Sequence, residues 1–339
     1  MRFLTMMVRF FVVMAGTAWL SHAAAQPVLD DPDATWTLLI ENDSITREDD
    51  NYTSGVNLGY VSGTKELSGF SQFLANQIVR PQGAAVARRG LMLTHAFYTP
   101  DNLRIAEFQP AEHPYAGFFT AETTWMVQQR HRIDRFSIEA GFVGTSALGE
   151  DLQKLTHEIT RDVDPQGWDT QVDDEVLLNF HYNVQKRFPR DANFLGRPVD
   201  LIVGGVASAG NKYTGIGGST TLRWGPGIDT SFALPRVRTA VNGGPSFFTP
   251  RADGGFGWYI FGGGDVRAVA HNIVLDDSFF REDDFIDVQS SVWVADFEVG
   301  AVVQRGKYQV ALSLVARSPQ FDEENETQTF GAVSFSRKF

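Results

Sequence analysis

The chain has 339 residues, no cysteine and a formal net charge of −12 at pH 7. This acidic balance argues against nucleic acid as a partner, because nucleic-acid-binding domains carry basic surfaces. A chain of this length can bury a sufficient core without disulfides, so the lack of cysteine does not exclude an oxidising compartment.

The N-terminal residues 1–25 are predicted to be a secretory signal peptide. Two arginines precede or enter an apolar run over residues 10–20, and the small residues Ala23 and Ala25 follow, as a signal peptidase requires. A membrane anchor is the alternative, but the run is shorter than the ~20 apolar residues that a spanning helix needs. We therefore expect cleavage after Ala25 and one domain over residues 26–339.

From Trp36 onward most of the chain alternates between apolar and polar residues with a period of two. Leu178, Phe180 and Tyr182, for example, alternate with Asn179 and His181. This period is typical of β-strands with two different faces. We count twelve such segments, and the later ones cover residues 213–224, 255–271, 288–304, 307–317 and 328–339.

These strands predict an all-β fold, a twelve-stranded antiparallel outer-membrane β-barrel with a short helix on its extracellular side. An even number of long alternating strands is typical of such barrels. No helix-length apolar segment follows residue 25, so a chain that crosses a membrane must do so as a closed barrel. The terminal Phe339 resembles the C-terminal signal of outer-membrane barrels. The rival fold is a soluble periplasmic β-sandwich, which also has alternating strands.

One segment between the fifth and sixth strands has helical periodicity. Within residues 146–162, Leu148, Leu152, Leu155 and Ile159 recur at spacings of four, three and four, which predicts one apolar stripe. Ser146 is the expected N-cap residue. At about 100° per residue, His157 points away from the apolar stripe.

The strand order brings polar residues together at one rim of the predicted barrel. Asn42 and Asp43 end the first strand, and Thr53 lies at the start of its hairpin partner. With a periplasmic N-terminus, connections from odd to even strands lie on the extracellular side. The first hairpin and the helix that carries His157 therefore share the extracellular rim, where a carboxylate, a carboxamide, a hydroxyl and an imidazole can converge.

Several separated segments resemble the lipid A 3′-O-deacylases of Gram-negative outer membranes, in the order of that family. These segments, which span roughly residues 36–168, are ENDSITREDDNYTSGVNLGY, YTPDN, HPYAGF, GFVGTSALGEDLQKLTHEI and GWDTQ. The resemblance implies a twelve-stranded barrel that hydrolyses the 3′-linked acyl ester of lipid A, with Ca²⁺ required. By motif, the catalytic histidine of the family falls on His157, its Asn-Asp pair on Asn42 and Asp43, and its active-site threonine on Thr53.

The implied chemistry suits these residue types. A neutral His157 could deprotonate water directly, while Ca²⁺ held partly by Asp43 polarises the ester carbonyl. Asn42 and Thr53 would then donate or orient hydrogen bonds. The alternative is a serine nucleophile paired with histidine, for which Ser44 and Ser54 are available, but the sequence has no Gly-x-Ser-x-Gly motif.

The sequence departs from the family at one position and leaves two further functions open. Members of the family can have a lysine after the third strand, where Arg104 is the nearest cation here. Because arginine and lysine differ in reach and geometry, phosphate recognition by Arg104 does not follow from the resemblance. The alternatives are a non-catalytic structural or binding barrel and an outer-membrane phospholipase. Expected partners are lipopolysaccharide and outer-membrane lipids, whereas the acyl chain length and the oligomeric state are not indicated.

Overall fold

The computed structural model describes residues 30–42, 52–160, 163–232, 245–251, 253–280, 285–324 and 327–339, with backbone alone at residues 52–54, 159–160 and 189–192. Twelve antiparallel strands form a closed barrel in which the first strand pairs with the last. This confirms the predicted fold. The predicted signal peptide and Asp43 lie outside the described residues.

Each strand pairs with its neighbours in the sequence, which gives an up-and-down barrel. The strands are β1 (Thr35–Asn42), β2 (Tyr52–Val61), β3 (Ala85–Tyr98), β4 (Ala116–Gln129), β5 (Arg132–Val143), β6 (Glu175–Phe194), β7 (Arg197–Gly210), β8 (Tyr213–Trp224), β9 (Phe256–Asn272), β10 (Trp293–Arg305), β11 (Tyr308–Arg317) and β12 (Gln328–Lys338). The predicted tenth strand began too early, at residue 288. Residues 288–292 lie outside the strand: Ser290 forms an isolated bridge with Phe321, and the carbonyl oxygen of Val292 accepts a hydrogen bond from Val269 of β9.

Side chains alternate between the lumen and the outer surface of the barrel. On β1, Thr37 and Glu41 are buried in the lumen, while Trp36, Leu38 and Ile40 are exposed. In water, a continuous band of exposed apolar side chains would be costly, whereas in lipid it is the favourable arrangement. The outer surface of this barrel is therefore suited to a membrane.

Buried ion pairs between neighbouring strands cross-link the lumen side of the barrel. Arg223 and Arg187 both bind Asp200, and Arg317 binds Asp296, with all these side chains nearly inaccessible to solvent. A buried charge is tolerated only when it is paired and hydrogen-bonded. These pairs therefore link neighbouring strands through the lumen.

Both ends of the lumen are filled by side chains. We call the end with Thr35 and Lys338 the terminal end, and the opposite end the loop end. At the terminal end the segment 245–251 folds inward, and the Arg88 guanidinium lies 4.2 Å from the ring centre of Phe247. At the loop end, side chains of the connecting loops form an apolar cluster that includes Leu275 and Phe321.

Two helices lie beside the strands. Helix α1 (Gly69–Leu74) continues into a π-helical segment (Ala75–Val79) in the β2–β3 connection at the terminal end. The sequence analysis missed it. Helix α2 (Gly149–Thr160), between β5 and β6, confirms the predicted helix but begins three residues after the expected N-cap, because Thr145–Ala147 form a 3₁₀ turn.

Among the described residues, no helix is long and apolar enough to cross a membrane.

Candidate active site

Helix α2 lies on the outer wall of the barrel, at the loop end. On β4 the lumen residues are Thr120, Glu122 and Thr124, so Gly117 faces outward. A Cβ atom on Gly117 would lie 2.9 Å from the Cα atom of Gly149, the first residue of α2. The helix therefore begins in direct contact with the outward face of β4, at a position where a larger side chain would collide.

Contacts with β3 hold the same end of the helix. The Nε2 atom of His95, an outward residue of β3, lies 2.7 Å from the carbonyl oxygen of Ala147. Phe97, the next outward residue, is fully buried in a cluster with Trp168, and Leu152 of α2 packs against that cluster. Strands β3 and β4 thus form the wall against which the helix is fixed.

The buried side of α2 carries polar residues, and part of the predicted apolar stripe is exposed. Gln153 is fully buried and His157, one turn later, is 6% exposed. Leu148 and Leu155 are 59% and 55% exposed, respectively. This confirms that His157 points away from the stripe. It also departs from the usual orientation of an amphipathic helix, which buries its whole apolar side when the surrounding medium is water.

His157 is held in one tautomer. Its Nδ1 atom donates a hydrogen bond to the backbone carbonyl of Val163, just after the helix. The proton on Nδ1 leaves the lone pair on Nε2, which has no hydrogen-bond partner among the described residues. A neutral imidazole fixed in this way has the geometry of a general base.

Gln153 is a candidate site residue that the sequence analysis missed. Its Oε1 atom accepts a hydrogen bond of 2.7 Å from Trp168 Nε1. Its Nε2 atom is buried and has no partner within the described part of the chain. Burying a donor without a partner costs free energy, so such a donor needs an explanation, and a functional role is one. The sequence did offer one signal for this residue: Gln153 lies four positions before His157, so both side chains lie on one face of the helix.

The strand register places Asn42 and Thr53 near this wall. Asn42 follows the outward residues Trp36, Leu38 and Ile40 at even positions of β1, and it pairs with Ser54. Thr53 lies at a β-bulge between Tyr52 and Ser54, opposite the end of β3.

Bulges are frequent beside active sites because they redirect the chain. The backbone position of Thr53 is thus adjacent to Phe97, the β3 residue that α2 covers. Strands β1, β2 and β3 are neighbours, so Asn42, Thr53 and α2 share one sector of the loop end.

The metal prediction is not tested by the described residues. Asp43, the expected calcium ligand, lies outside them, and within the described ranges no three acidic or histidine side chains come together as a metal site. At the end of β1 the side-chain oxygens of Asn42 and Asp43 are adjacent in the sequence, whereas Glu41 faces the lumen. Oxygen donors of this kind are those that Ca²⁺ prefers, so the donor chemistry fits the ion.

Arg104 lies in the β3–β4 loop, which contacts the segment after α2. Its side chain is exposed, and its backbone N–H donates to Asn102 Oδ1 at 3.1 Å. The neighbouring Leu103 accepts a backbone hydrogen bond from Gln166. An exposed cation thus stands on the loop that borders α2, where an anionic group could approach it.

A second constellation lies inside the lumen. Ser208 Oγ is 2.8 Å from His181 Nδ1, and His181 Nε2 is 3.1 Å from Glu139 Oε2. The order serine–histidine–carboxylate is that of a nucleophilic triad. All three side chains are buried, however, and Lys212 Nζ also binds Glu139 at 2.6 Å. With the lumen filled at both ends, these residues are placed as a structural network.

The chain is similar to one protein family and to several solved structures. The family model described as outer membrane protein LpxR matches residues 6–339. Among solved structures, LpxR from Salmonella typhimurium matches with a TM-score of 0.70 at 17% identity, over 90% of this chain and 100% of that chain. The β domain of the Bordetella autotransporter Brka matches with a TM-score of 0.43 at 10% identity, over 92% of this chain and 100% of that chain. No curated protein sequence matches.

Proposed function

The chain belongs to the family of outer membrane protein LpxR, and from this membership and the outer-wall site we propose that it is a lipid A 3′-O-deacylase. The observation that carries the proposal is the position of His157. The imidazole is buried between α2 and the outer wall, beside the lipid-facing surface and not in the filled lumen. A lipid substrate could reach it by lateral diffusion within the membrane, without leaving the leaflet.

His157 is the proposed general base for a water molecule. Its Nε2 atom takes a proton from the water, and the resulting hydroxide oxygen bonds to the ester carbonyl carbon. The tetrahedral intermediate then expels the sugar oxygen, which receives the proton from His157. The products are a fatty acid and the sugar hydroxyl, so atoms and charge balance. The hydrogen bond from Nδ1 to Val163 supports this assignment, because it keeps the lone pair on Nε2.

The proposed site needs a group that stabilises the negative charge of the intermediate. Gln153 Nε2, buried beside His157 without a described partner, is one candidate donor. Asn42 and Thr53 are proposed to donate or orient further hydrogen bonds. Asp43 is proposed to hold a calcium ion, whose chemistry would be to polarise the ester carbonyl.

The site is proposed to face the cell exterior. At the terminal end three of the five connections are two-residue turns, β4–β5, β6–β7 and β10–β11, whereas at the loop end one of the six, β7–β8, is as short. In bacterial outer-membrane barrels, short turns are periplasmic and the longer loops extracellular. By that rule the loop end, where α2 lies, meets the outer leaflet, in which lipopolysaccharide resides.

Mass spectrometry of lipid A separates the proposed function from the two alternatives. Cells that express the protein should lose the 3′-linked acyl chain of lipid A, relative to cells without it. Unchanged lipid A together with released phospholipid fatty acids would indicate a phospholipase. No hydrolysis of either substrate by the purified, heat-modifiable barrel in the presence of Ca²⁺ would indicate a non-catalytic barrel.

A further inference from the structure

Helix α1 with its π-helical extension, which was not predicted from the sequence, also packs on the outer wall, at the terminal end of the barrel. Its inward residues pack in an apolar cluster with outward residues of β4 and β5; the members are Leu67, Leu74, Ala75, Val79, Ala85, Trp125, Val127 and Phe136. Because Trp125 and Val127 are outward positions of β4, the helix lies outside the barrel. Strand β4 therefore carries a helix at each end.

The exposed surface of this helix has one apolar flank and one polar flank. Phe70 and Phe73 are 45% and 54% exposed and stack with ring centres 5.9 Å apart. Ile78 on the π-helical segment is also exposed. On the other flank, Gln72 donates to Asn76 at 2.8 Å. An exposed aromatic pair beside a hydrogen-bonded amide pair is typical of a helix that lies in a membrane interface.

The apolar flank is continuous with the lipid-facing surface of the barrel. The ring of Phe70 meets Trp125 edge-on, with centroids 5.2 Å apart. Beyond Trp125, the exposed outward residues of the neighbouring strand β3 are Leu91 and Leu93. The helix thus extends the apolar band of the barrel sideways at its terminal end.

Cations border the same flank. The guanidinium of Arg89 lies 5.1 Å above the Trp125 ring, and Arg80 and Lys65, which flank the helix, are exposed. The chain as a whole is acidic, with a net charge of −12. A local group of arginine and lysine beside exposed aromatic rings is complementary to lipid phosphates above acyl chains.

The distance between the two helices matches the membrane. Gly117, which contacts α2, and Trp125, which contacts α1, are eight residues apart on β4. At about 3.3 Å per residue and a tilt of about 40°, the separation along the barrel axis is roughly 20 Å. The apolar band of such barrels is about 25 Å tall, so α1 lies at the interface opposite to α2.

We propose that residues 69–79 form an in-plane anchor that inserts Phe70, Phe73 and Ile78 into the glycerophospholipid leaflet at the terminal end. The amide flank with Gln72 and Asn76 faces the water. The anchor would fix the depth of β4, one of the two strands that support the candidate active site. The choice of leaflet follows the orientation proposed above, whereas the insertion of the helix does not depend on the proposed catalytic function.

Site-directed spin labelling tests the anchor directly, because the chain has no cysteine. A nitroxide is attached to Phe73→Cys, and its accessibility to oxygen and to a water-soluble nickel chelate is measured in vesicles of phosphatidylethanolamine and phosphatidylglycerol. Asn76→Cys, on the polar flank of the same helix, is the matched control. Leu91→Cys provides the reference for a lipid-facing position, and Ile78→Cys is a second test position. Heat-modifiable migration on gels verifies that each variant is folded.

The proposal predicts that the labels at 73 and 78 are more accessible to oxygen and less accessible to the nickel chelate than the label at 76. Both accessibilities should approach those of the label at 91. Nickel accessibility at 73 and 78 equal to that at 76 would overturn it. Dipolar broadening at 73 that disappears on dilution with unlabelled protein would also overturn it, because the occupant would then be a second copy of the chain.

Discussion

Two helices lie against opposite ends of strand β4, and they bury different kinds of side chain. Helix α1 covers its part of the wall with Leu74 and its π-helical extension with Val79. Helix α2 covers its part with Gln153 and His157 beside Leu152, and leaves Leu155 exposed. Both helices expose apolar residues, which is inexpensive where the surrounding medium is lipid.

The comparison shows which of the two buried helix faces requires a functional explanation. An apolar contact such as that of α1 is sufficient to hold a helix on a barrel wall. Burying a carboxamide and an imidazole against the same wall adds a desolvation cost that adhesion alone does not require. Local arrangements that work against stability are expected at functional sites. The buried polar face of α2 is therefore the part of the molecule in which we place the chemistry.

The largest expected effect is the loss of turnover in His157→Ala. Removing a general base typically lowers a rate by ~10²–10⁴-fold. The comparison variant is Phe73→Ala on α1, for which we expect deacylation at the wild-type rate, because that side chain lies at the opposite end of the barrel from His157. Rates are measured on purified protein with lipid A in mixed micelles. Equal losses in the two variants would show that the effect reports the wall as a whole and not the polar face of α2.

The next effect concerns calcium. Asp43→Ala should lose activity together with calcium affinity, and excess Ca²⁺ should restore part of the activity. His157→Ala should still bind Ca²⁺, because the ion prefers oxygen ligands to imidazole. Isothermal titration with Ca²⁺ and rates at several Ca²⁺ concentrations separate the two variants. Unchanged calcium binding in Asp43→Ala would remove this residue from the proposed metal site.

A smaller effect is a pH dependence of stability at the loop end. His113, in the β3–β4 loop, is buried, and burial lowers its pKa from 6.5 to about 4, with Arg317 acting in the same direction. Because the unfolded chain takes up this proton first, stability is full above pH 6.5 and falls as the pH drops towards 4. The loss is on the order of 3 kcal/mol.

Urea midpoints in detergent at pH 7 and pH 5 measure this effect. The stacking of His113 on Tyr98, with ring centroids 4.7 Å apart, makes His113→Phe a conservative replacement without a titrating group. The shift between the two pH values should be smaller in His113→Phe than in wild type. The same shift in both proteins would assign the pH dependence to other groups.

Alternation was sufficient to predict the barrel from the sequence, because a period of two fixes which residues face lipid and which face the lumen. The helix carrying His157 was also predictable, since its stripe recurs over more than two turns. Helix α1 was not predictable, because its α-helical part has only six residues before the π-helical segment. It also has no acidic residue in its first turn and no basic residue in its last turn.

The interior of the barrel could not be predicted. The pair of Arg88 with Asp31 joins residues 57 positions apart, and Lys338 reaches the same carboxylate from the other end of the chain. Such contacts depend on the closure of the barrel, which no local pattern encodes. In the candidate site, Gln153 was missed because its significance lies in a buried Nε2 atom that has no partner among the described residues, which is a property of the folded wall.

The central claim is that the reaction takes place on the outer wall and not in the lumen. The most direct test is the lipid A mass spectrum of cells that express His157→Ala or Ser208→Ala at matched levels of folded barrel. Ser208 belongs to the serine–histidine–carboxylate array of the lumen. We expect Ser208→Ala to remove the 3′-linked acyl chain as wild type does, and His157→Ala to leave it in place. Deacylation by His157→Ala, with intact lipid A in Ser208→Ala, would contradict the claim.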